Sequence, residues 1–297
     1  MNITDLDCIY LTYDEPQKEE FWVKIKNTVP WAKRVDGVKG SDAAHKAAAA
    51  ASSTDRFILI DGDNLPIEEF FSERLILNDG NKDCVFRWRA RNEINGLVYG
   101  NGGISCWTRD YINNMRTHEN TDGRNETVVE FCFDPKYLPM HNCYSTTYPN
   151  GTPFQAWRAG FREGVKMALD RGRRTSMAEF LNMRRYQNIE YLSIWHNIGA
   201  DVENGWWATY GARLGTYLTL LDESWDYTEV QDFNALKYIF KKVDSIAETT
   251  RQKHYDRISN DLKEKLQLPI MEMDANQSAF FKKFYTRLHQ NKGIMDR

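Results

Sequence analysis

The stretch Arg56-Phe-Ile-Leu-Ile-Asp-Gly-Asp-Asn64 constrains the fold more than any other part of the chain. Four apolar residues in a row leave no polar face, so a strand here must be covered on both sides, as strands of parallel sheets are. The run then stops at two aspartates separated by a glycine. Upstream the pattern alternates. Residues 7–13 (DCIYLTY) are β-rich and end at Asp14-Glu-Pro16. Residues 18–28 suit a helix, and 30–35 an extended segment closed by Gly37 and Gly40. Residues 41–51 (SDAAHKAAAAA) suit an alanine-rich helix with Ser41 as its N-cap. Strand, helix, strand, helix, strand within 64 residues predicts an α/β unit built on a parallel sheet.

Further strands are predicted at 82–88, 96–99 and 126–133. From residue 152 the texture becomes helical, with helices predicted at 153–174, 176–187, 207–221, 228–250 and 278–290. The division falls near residue 150: 1–150 as the α/β part and 151–297 as the mainly helical part. The charged stretch from Arg251 onward reads as partly mobile. A chain of 297 residues is long enough to bury a core without covalent staples. Its five cysteines include no C-x-x-C pair, which argues against a disulfide framework or a structural zinc site and fits a reducing compartment. No stretch approaches the roughly 20 apolar residues of a membrane helix, and the first residues lack the basic and apolar regions of a signal peptide. The expected location is the cytoplasm, with no membrane partner.

In open α/β sheets, ligands bind outside the carboxyl ends of the strands. Asp61 and Asp63 stand at such an end, and two carboxylates one residue apart can share a divalent cation. Oxygen ligands suit Mg²⁺ or Mn²⁺, which commonly completes its shell from a diphosphate. The same residues also make an ordinary Asp-Gly turn assisted by Asn64.

The run Gly37-Val-Lys-Gly-Ser-Asp-Ala-Ala-His-Lys46, the alanines after it and the I-D-G-D-N turn resemble the nucleotide-sugar half of GT-A glycosyltransferases. The resemblance implies an α/β fold, a GT-A-like Rossmann-type domain with a mixed sheet, followed by a mainly helical C-terminal part. It implies a metal, Mn²⁺ or Mg²⁺, held by Asp61 and Asp63 on the diphosphate of a UDP-sugar donor. It places Asp42 and Lys46 at the nucleotide, and the end of the first strand, with Thr12, Tyr13 and Asp14, against uracil and ribose. Alternatively, Asp42 only complements its helix N-terminus and Lys46 is solvated.

Tyr99-Gly-Asn-Gly-Gly-Ile-Ser-Cys-Trp107 adds to the resemblance, because Gly102 and Gly103 permit a sugar to lie against backbone. The bland reading is a bulge with Trp107 in the core. Many metal-dependent members add a late histidine ligand, and His196 in Ser193-Ile-Trp-His-Asn197 is the candidate. A packing role beside Trp195 is the competing reading. Arg213 can meet a diphosphate or form a structural ion pair.

Net charge is −3, from 39 basic and 42 acidic residues, which weighs against a nucleic-acid binder when read over the whole chain. Residues 157–185, however, hold eight arginines and lysines against Glu163, Asp170 and Glu179. Arg158, Arg162 and Lys166 recur every four residues on one helix face, beside an apolar stripe of Phe154, Trp157, Phe161, Val165 and Leu169. With Arg173 and Arg174 they suit a phosphate backbone, although a solvated charged face is the common alternative.

Val29-Pro-Trp-Ala-Lys-Arg-Val35, the G-S-D-A-A-H-K helix and the I-D-G-D-N turn together resemble glycosyltransferases of large tailed, T-even-like phages. That resemblance implies transfer of arabinose or glucose from a UDP-sugar to the hydroxymethyl group of 5-hydroxymethylcytosine in double-stranded phage DNA, in the cytoplasm of the infected host. The target base must then leave the stack. An inverting reaction needs a general base near the acceptor hydroxyl; Glu93, Glu126 and Glu130 are the candidates, unranked. Two rival functions remain open at this point: a UDP-sugar enzyme acting on a protein or glycan, and a non-catalytic DNA-binding module.

Overall fold

The computed structural model describes residues 1–115, 136–170, 172–183 and 186–295. The strand predicted at 126–133, with Glu126 and Glu130, lies outside the described residues. The chain forms two compact units. One comprises Met1–Asn92, Val98–Tyr148 and His289–Arg297, the other Glu93–Leu97 and Pro149–Leu288.

The first unit carries the sheet. Its elements run β1 (Asp7–Thr12), α1 (Lys18–Thr28), β2 (Lys33–Asp36), α2 (Ser41–Ala51), β3 (Arg56–Asp61), β4 (Asn64–Pro66), β5 (Val85–Asn92), β6 (Val98–Thr108), α3 (Arg109–Asn114) and β7 (Tyr137–Thr147). The strand order is β2-β1-β3-β6-β5-β7-β4. β1 runs parallel to β2 and β3, while β6 lies antiparallel to both β3 and β5. β7 is parallel to β5 and antiparallel to β4. The strands of the first 64 residues that the alternation predicts as parallel, β1, β2 and β3, are parallel, and with β6 antiparallel the sheet as a whole is mixed, as the resemblance implies. The short link from Asn92 to Val98 explains the antiparallel β5–β6 pair, because a parallel crossover needs a dozen or more residues.

Alternation along the strands builds two cores. One face presents Tyr10, Ile58, Ile60, Phe86, Trp88, Ile104 and Cys106 to Phe21 and Ile25 of α1 and to Phe70 and Phe71. The other presents Ile9, Phe57, Leu59, Val85 and Trp107 to Ala48 and Ala49 of α2 and Ile112 of α3. β3 is buried from Arg56 to Ile60 and exposed only at Asp61, as its unbroken apolar run requires. Ser41 does not cap α2. Gly40 holds the N-cap position at φ 93°, a left-handed backbone that glycine adopts without Cβ strain.

The second unit is helical: α4 (Pro153–Ala168), α5 (Met177–Met183), α6 (Tyr186–Asn197), α7 (Gly205–Leu221), α8 (Phe233–Asp244), α9 (Glu248–Leu266) and α10 (Ala275–Met295). Thr152 caps α4 by accepting from the Gln155 amide, with proline in the first turn. The helix ends at Ala168 rather than continuing to Arg174. Leu169 is extended, and Asp170 and Arg173 exchange backbone hydrogen bonds around Gly172, whose φ is 79°. The helix predicted at 228–250 is a short 3₁₀ turn followed by α8, because Asp232 caps a new start by accepting from the Asn234 amide. Of the charged stretch from Arg251 onward, the part up to Leu266 belongs to α9, which buries Tyr255, Ile258, Leu262 and Leu266 at helical spacing. No described helix is long and apolar enough to cross a membrane.

The centre of this unit is a seam between α4 and α7. A Cβ on Gly160 would lie 1.9 Å from the Ala208 carbonyl oxygen, and one on Gly164 would lie 2.2 Å from that of Ala212. Reciprocally, a Cβ on Gly211 would lie 2.1 Å from the Trp157 carbonyl oxygen, and one on Gly215 would lie 2.4 Å from that of Phe161. The two helices thus touch backbone to backbone, with Trp157 and Phe161 stacked beside the seam at 4.6 Å. Gly160→Ala and Gly211→Ala should each destabilise the protein by about 3 kcal/mol, the upper range for overpacking, because the neighbour is backbone and cannot rotate away. Chemical denaturation checks this as a lower midpoint at unchanged slope.

Candidate functional site

The acidic turn is placed by the strands beneath it. Asp61 pairs in register with Leu11 of β1, and Ile60 with Ile104 of β6. The chain then turns at Gly62, whose carbonyl accepts a hydrogen bond from the buried Tyr10 hydroxyl at 2.7 Å. A Cβ at Gly62 would sit 2.5 Å from the carboxyl carbon of Glu15, so the Glu15 carboxylate lies directly against the turn. Glu15 is held in turn by the Tyr13 amide, which donates to its Oε2 at 2.7 Å. The Asp63 carbonyl accepts from the Tyr148 amide at 2.8 Å, fixing the far side. Three carboxylates, Asp61, Asp63 and Glu15, therefore share one sheet edge. The sequence reading missed Glu15 as a member of this cluster. The signal was its place just past β1, the parallel neighbour of β3.

The electrostatics follow. The protein packed around Asp61, then the charges of Asp63 and Glu15, raise its carboxyl from 3.8 to about 7. Its side chain keeps solvent contact, so repulsion from the two neighbouring carboxylates is the part of the shift that the geometry supports most directly. A divalent cation would relieve that repulsion, and all three donors are the hard oxygens that Mg²⁺ or Mn²⁺ prefers. Among the described residues no three His, Cys, Asp or Glu side chains are grouped so that they could hold a metal ion together, Asp61, Asp63 and Glu15 included. A cation shared with a diphosphate needs only one or two protein carboxylates, and the acidic turn fits that arrangement.

Beside this turn, β6 departs from regular pairing. Trp88 faces Ile104 and Ala90 faces Tyr99, so the single residue Arg89 spans the same length as residues 100–103 of β6. The Gly-Asn-Gly-Gly segment is this bulge. It begins where the β3 pairing stops, next to Asp61. Gly103 has φ 72°, and a Cβ on it would lie 2.2 Å from Nδ2 of Asn64. Asn64 is almost fully buried, and its Oδ1 has no hydrogen-bond partner.

The nucleotide-side candidates lie at the same edge. Thr12 is buried: its hydroxyl donates to Asp36 at 2.6 Å and its carbonyl accepts from the Gly37 amide at 3.0 Å. This ties the end of β1 to the loop that opens α2. Tyr13 and Asp14 are exposed. Lys46 donates to Asp42 at 2.7 Å one turn along α2, and His45 packs edge-on against Trp107. The first unit therefore brings the end of β1, the start of α2, the acidic turn and the bulge with Gly102 and Gly103 to one edge.

The remaining candidates belong to the helical unit. His196 is fully buried, with Nε2 3.0 Å from the Thr216 hydroxyl. Thr216 uses its own proton on the Ala212 carbonyl at 3.0 Å or the Gly164 carbonyl at 3.3 Å, so Nε2 carries the imidazole proton. Burial, then the charge of Arg213, lower the His196 pKa from 6.5 to about 3. Arg213 is also fully buried. Its Nε donates to the His196 carbonyl, Nη1 to Ser259 and Glu272 at 2.6 Å each, and Nη2 to the Met271 carbonyl. It forms the structural ion pair, and His196 takes the packing role that competed with metal ligation. The Glu93 carbonyl accepts from Lys282 at 3.2 Å. In the basic set, Arg158 lies over Phe233 and Phe154, Lys166 pairs with Glu163 at 3.6 Å, and Arg174 donates to the carbonyls of Glu223 and Trp225. Arg162 and Arg173 are exposed.

No protein-family model matches the chain, and no curated protein matches it. Among solved structures it is similar to HddC from Yersinia pseudotuberculosis. The identity is 13% and the TM-score 0.28, over 52% of this chain and 78% of that one. A likeness of that size carries no functional argument, and the reading rests on the residues at the sheet edge.

Two measurements test the site's electrostatics. The folded state must hold Asp61 charged above pH 7 against its neighbours, whereas the unfolded chain does so without penalty. Asp61→Asn should therefore raise Tm at pH 8, and that gain should shrink as pH falls from about 7 and vanish below 3.8, where the carboxyl is protonated in both states. His196 works with the opposite sign. Below about pH 6.5 the unfolded chain binds a proton that the native imidazole refuses until about pH 3, so stability falls as pH drops through that window. A series of melting curves should show a shallower acid slope for His196→Gln, with His254, lowered by burial, supplying part of the residue.

Proposed function

We propose that the chain is a metal-dependent GT-A-type glycosyltransferase. The observation that carries this reading is the Asp61-Gly62-Asp63 turn at the carboxyl end of a fully buried strand, crowded by Glu15 and flanked by the glycine bulge of β6. Asp61 and Asp63 would hold Mn²⁺ or Mg²⁺ against the diphosphate of a UDP-sugar. The cation supplies charge neutralisation for the departing nucleoside diphosphate.

The chain's own residues supply binding and exclusion. Tyr13 and Asp14, exposed at the end of β1, would meet the base and ribose, with Thr12 fixing their backbone through Asp36. The Asp42–Lys46 pair would stand at the nucleotide where α2 begins. The side-chain-free backbone at Gly102 and Gly103 would let the sugar lie against the sheet edge. The acceptor hydroxyl attacks the anomeric carbon and loses its proton, the glycosidic bond forms, and the bond to the diphosphate breaks. Glu93 is the one described carboxylate among the three candidate bases, and Glu126 and Glu130 join it only as sequence candidates.

The acceptor reading rests on the resemblance to T-even-like phage enzymes: the hydroxymethyl group of 5-hydroxymethylcytosine in double-stranded DNA, glycosylated inside the infected bacterium. Arg162 and Arg173, exposed in the helical unit, and Arg158, Lys166 and Arg174 beside them are the proposed phosphate contacts.

A transfer assay with UDP-glucose and UDP-arabinose on hydroxymethylated and unmodified duplex DNA tests both levels. Transfer to modified DNA alone is the expected outcome, and Asp61→Asn or Asp63→Asn should each cost on the order of a hundredfold or more. Equal turnover by those variants overturns the metal assignment. A UDP- and Mn²⁺-dependent rise in Tm without transfer to DNA keeps the donor reading and moves the acceptor to a protein or glycan.

A further inference from the structure

One strand of the first unit carries a feature that the donor reading does not use. Along Val85-Phe-Arg-Trp-Arg-Ala-Arg-Asn92, side chains alternate strictly: Phe86, Trp88, Ala90 and Asn92 are buried, while Arg87, Arg89 and Arg91 are half-buried on the opposite face. Register identifies that face. Arg87 pairs with Ser105, Ser105 with Leu59, and Leu59 shares its side of β3 with Asp61. The same face is apolar where α2 covers Ile9, Phe57 and Leu59, and becomes cationic at β5. Successive arginines are about 6.7 Å apart along the strand, and the stripe ends at the carboxyl edge, where Asn92 and Asn64 both pair with Thr147.

Among the described residues neither Arg87 nor Arg89 forms an ion pair. The Arg87 guanidinium lies 4.6 Å over the Tyr137 ring, and its Nε and Nη1 are shut off from water with no hydrogen-bond acceptor. Arg89 faces Cys143 across the β5–β7 ladder. Burial raises that thiol's pKa, and the charges of Arg91 and Arg89 oppose the rise; the Arg89–Cys143 pairing puts those two side chains on one face, and alternation puts Arg91 on the same face. Arg87 and Arg89 place like charges on one face of the strand, and two buried donors of Arg87 have no acceptor among the described residues. Guanidinium forks are matched by the oxygens of phosphate.

We propose that Arg87, Arg89 and Arg91 form an anion-binding stripe on the face of the sheet that carries Asp61, recognising phosphate groups without a metal. Arg89 and Arg91 make the contacts, and Arg87, stacked on Tyr137, backs them. The phosphate belongs either to a nucleotide or to a nucleic-acid backbone, and both present the same oxygens. The inference stands on β5 alone and does not need the metal assignment.

The test uses the full chain in EDTA, so that the acidic turn takes no part. Inorganic pyrophosphate, UDP and a 20-base-pair duplex are titrated by calorimetry into the wild type, Arg89→Gln, Arg91→Gln and the double variant. Circular dichroism and Tm check that each variant is folded. The double variant should bind at least one probe about tenfold more weakly, the loss expected from one or two charged hydrogen bonds, while Arg89→Lys retains part of the affinity. Weakened pyrophosphate and UDP binding with unchanged DNA binding assigns the stripe to a nucleotide. For a nucleic-acid backbone, the salt dependence of DNA binding should become shallower by about 0.9 in log–log slope per arginine removed. Equal affinity of wild type and double variant for all three probes overturns the proposal, as does absence of binding by the wild type. A fall in Tm with binding unaltered also overturns it and assigns the arginines to internal packing.

Discussion

A strand with no polar face can present its carboxylate only where it leaves the core, and the first unit is organised around that constraint. β3 is buried from Arg56 to Ile60 between β1 and β6, with α2 over one face and α1 with the Phe70 and Phe71 pair over the other. Its first charge after the apolar run must emerge at Asp61. Three neighbours then converge by necessity of register: the end of β1, parallel to β3; the turn into β4, tied to Tyr148; and the irregular middle of β6. Carboxylates gather there because the strand's apolar run ends there and the end of β1, its parallel neighbour, lies beside it.

The helical unit obeys a different rule, closeness of backbone. Four glycines and two alanines bring α4 and α7 into direct contact, and Thr216 links the seam to His196. His196 and Arg213 are then explained as parts of one buried network. The imidazole is held neutral, and its carbonyl, Ser259, Met271 and Glu272 absorb most donors of the guanidinium. Most polar atoms of this network have a partner, His196 Nδ1 being an exception, and removing one member strands another.

How much of this was legible in the residues differs by element. Strong local signals carried through: α1 and α2 occupy the residues their patterns predict, and the apolar run at 56–60 is a buried strand. The parallel set β1, β2 and β3 was legible from the alternation of the first 64 residues and the mixed sheet from the resemblance, whereas the strand order, with β6 next to β3 and β7 between β5 and β4, was not, because strand pairing is non-local. Glu15 escaped because its neighbour is Gly62, 47 positions along and adjacent only through parallel pairing. Ser41 lost its cap to Gly40 because the required φ is left-handed. The length of α4 was overestimated because helical propensity ran past Leu169 into a turn made by Gly172. The seam itself hid in plain view, since Gly160, Gly164, Gly211 and Gly215 weaken a helix by propensity and reveal their purpose only when the two helices are paired.

That seam also bears on how the helical unit can move. Helices separated by long side chains can slide as rotamers exchange, so their motion is gradual. α4 and α7 have no such cushion: carbonyl oxygens occupy the space where Cβ atoms would otherwise be. A small rotation of either helix meets a hard wall, and a small separation opens a void along the whole interface. The pair therefore behaves as a single mechanical part, and the amides along it should exchange with solvent only when the whole pair opens.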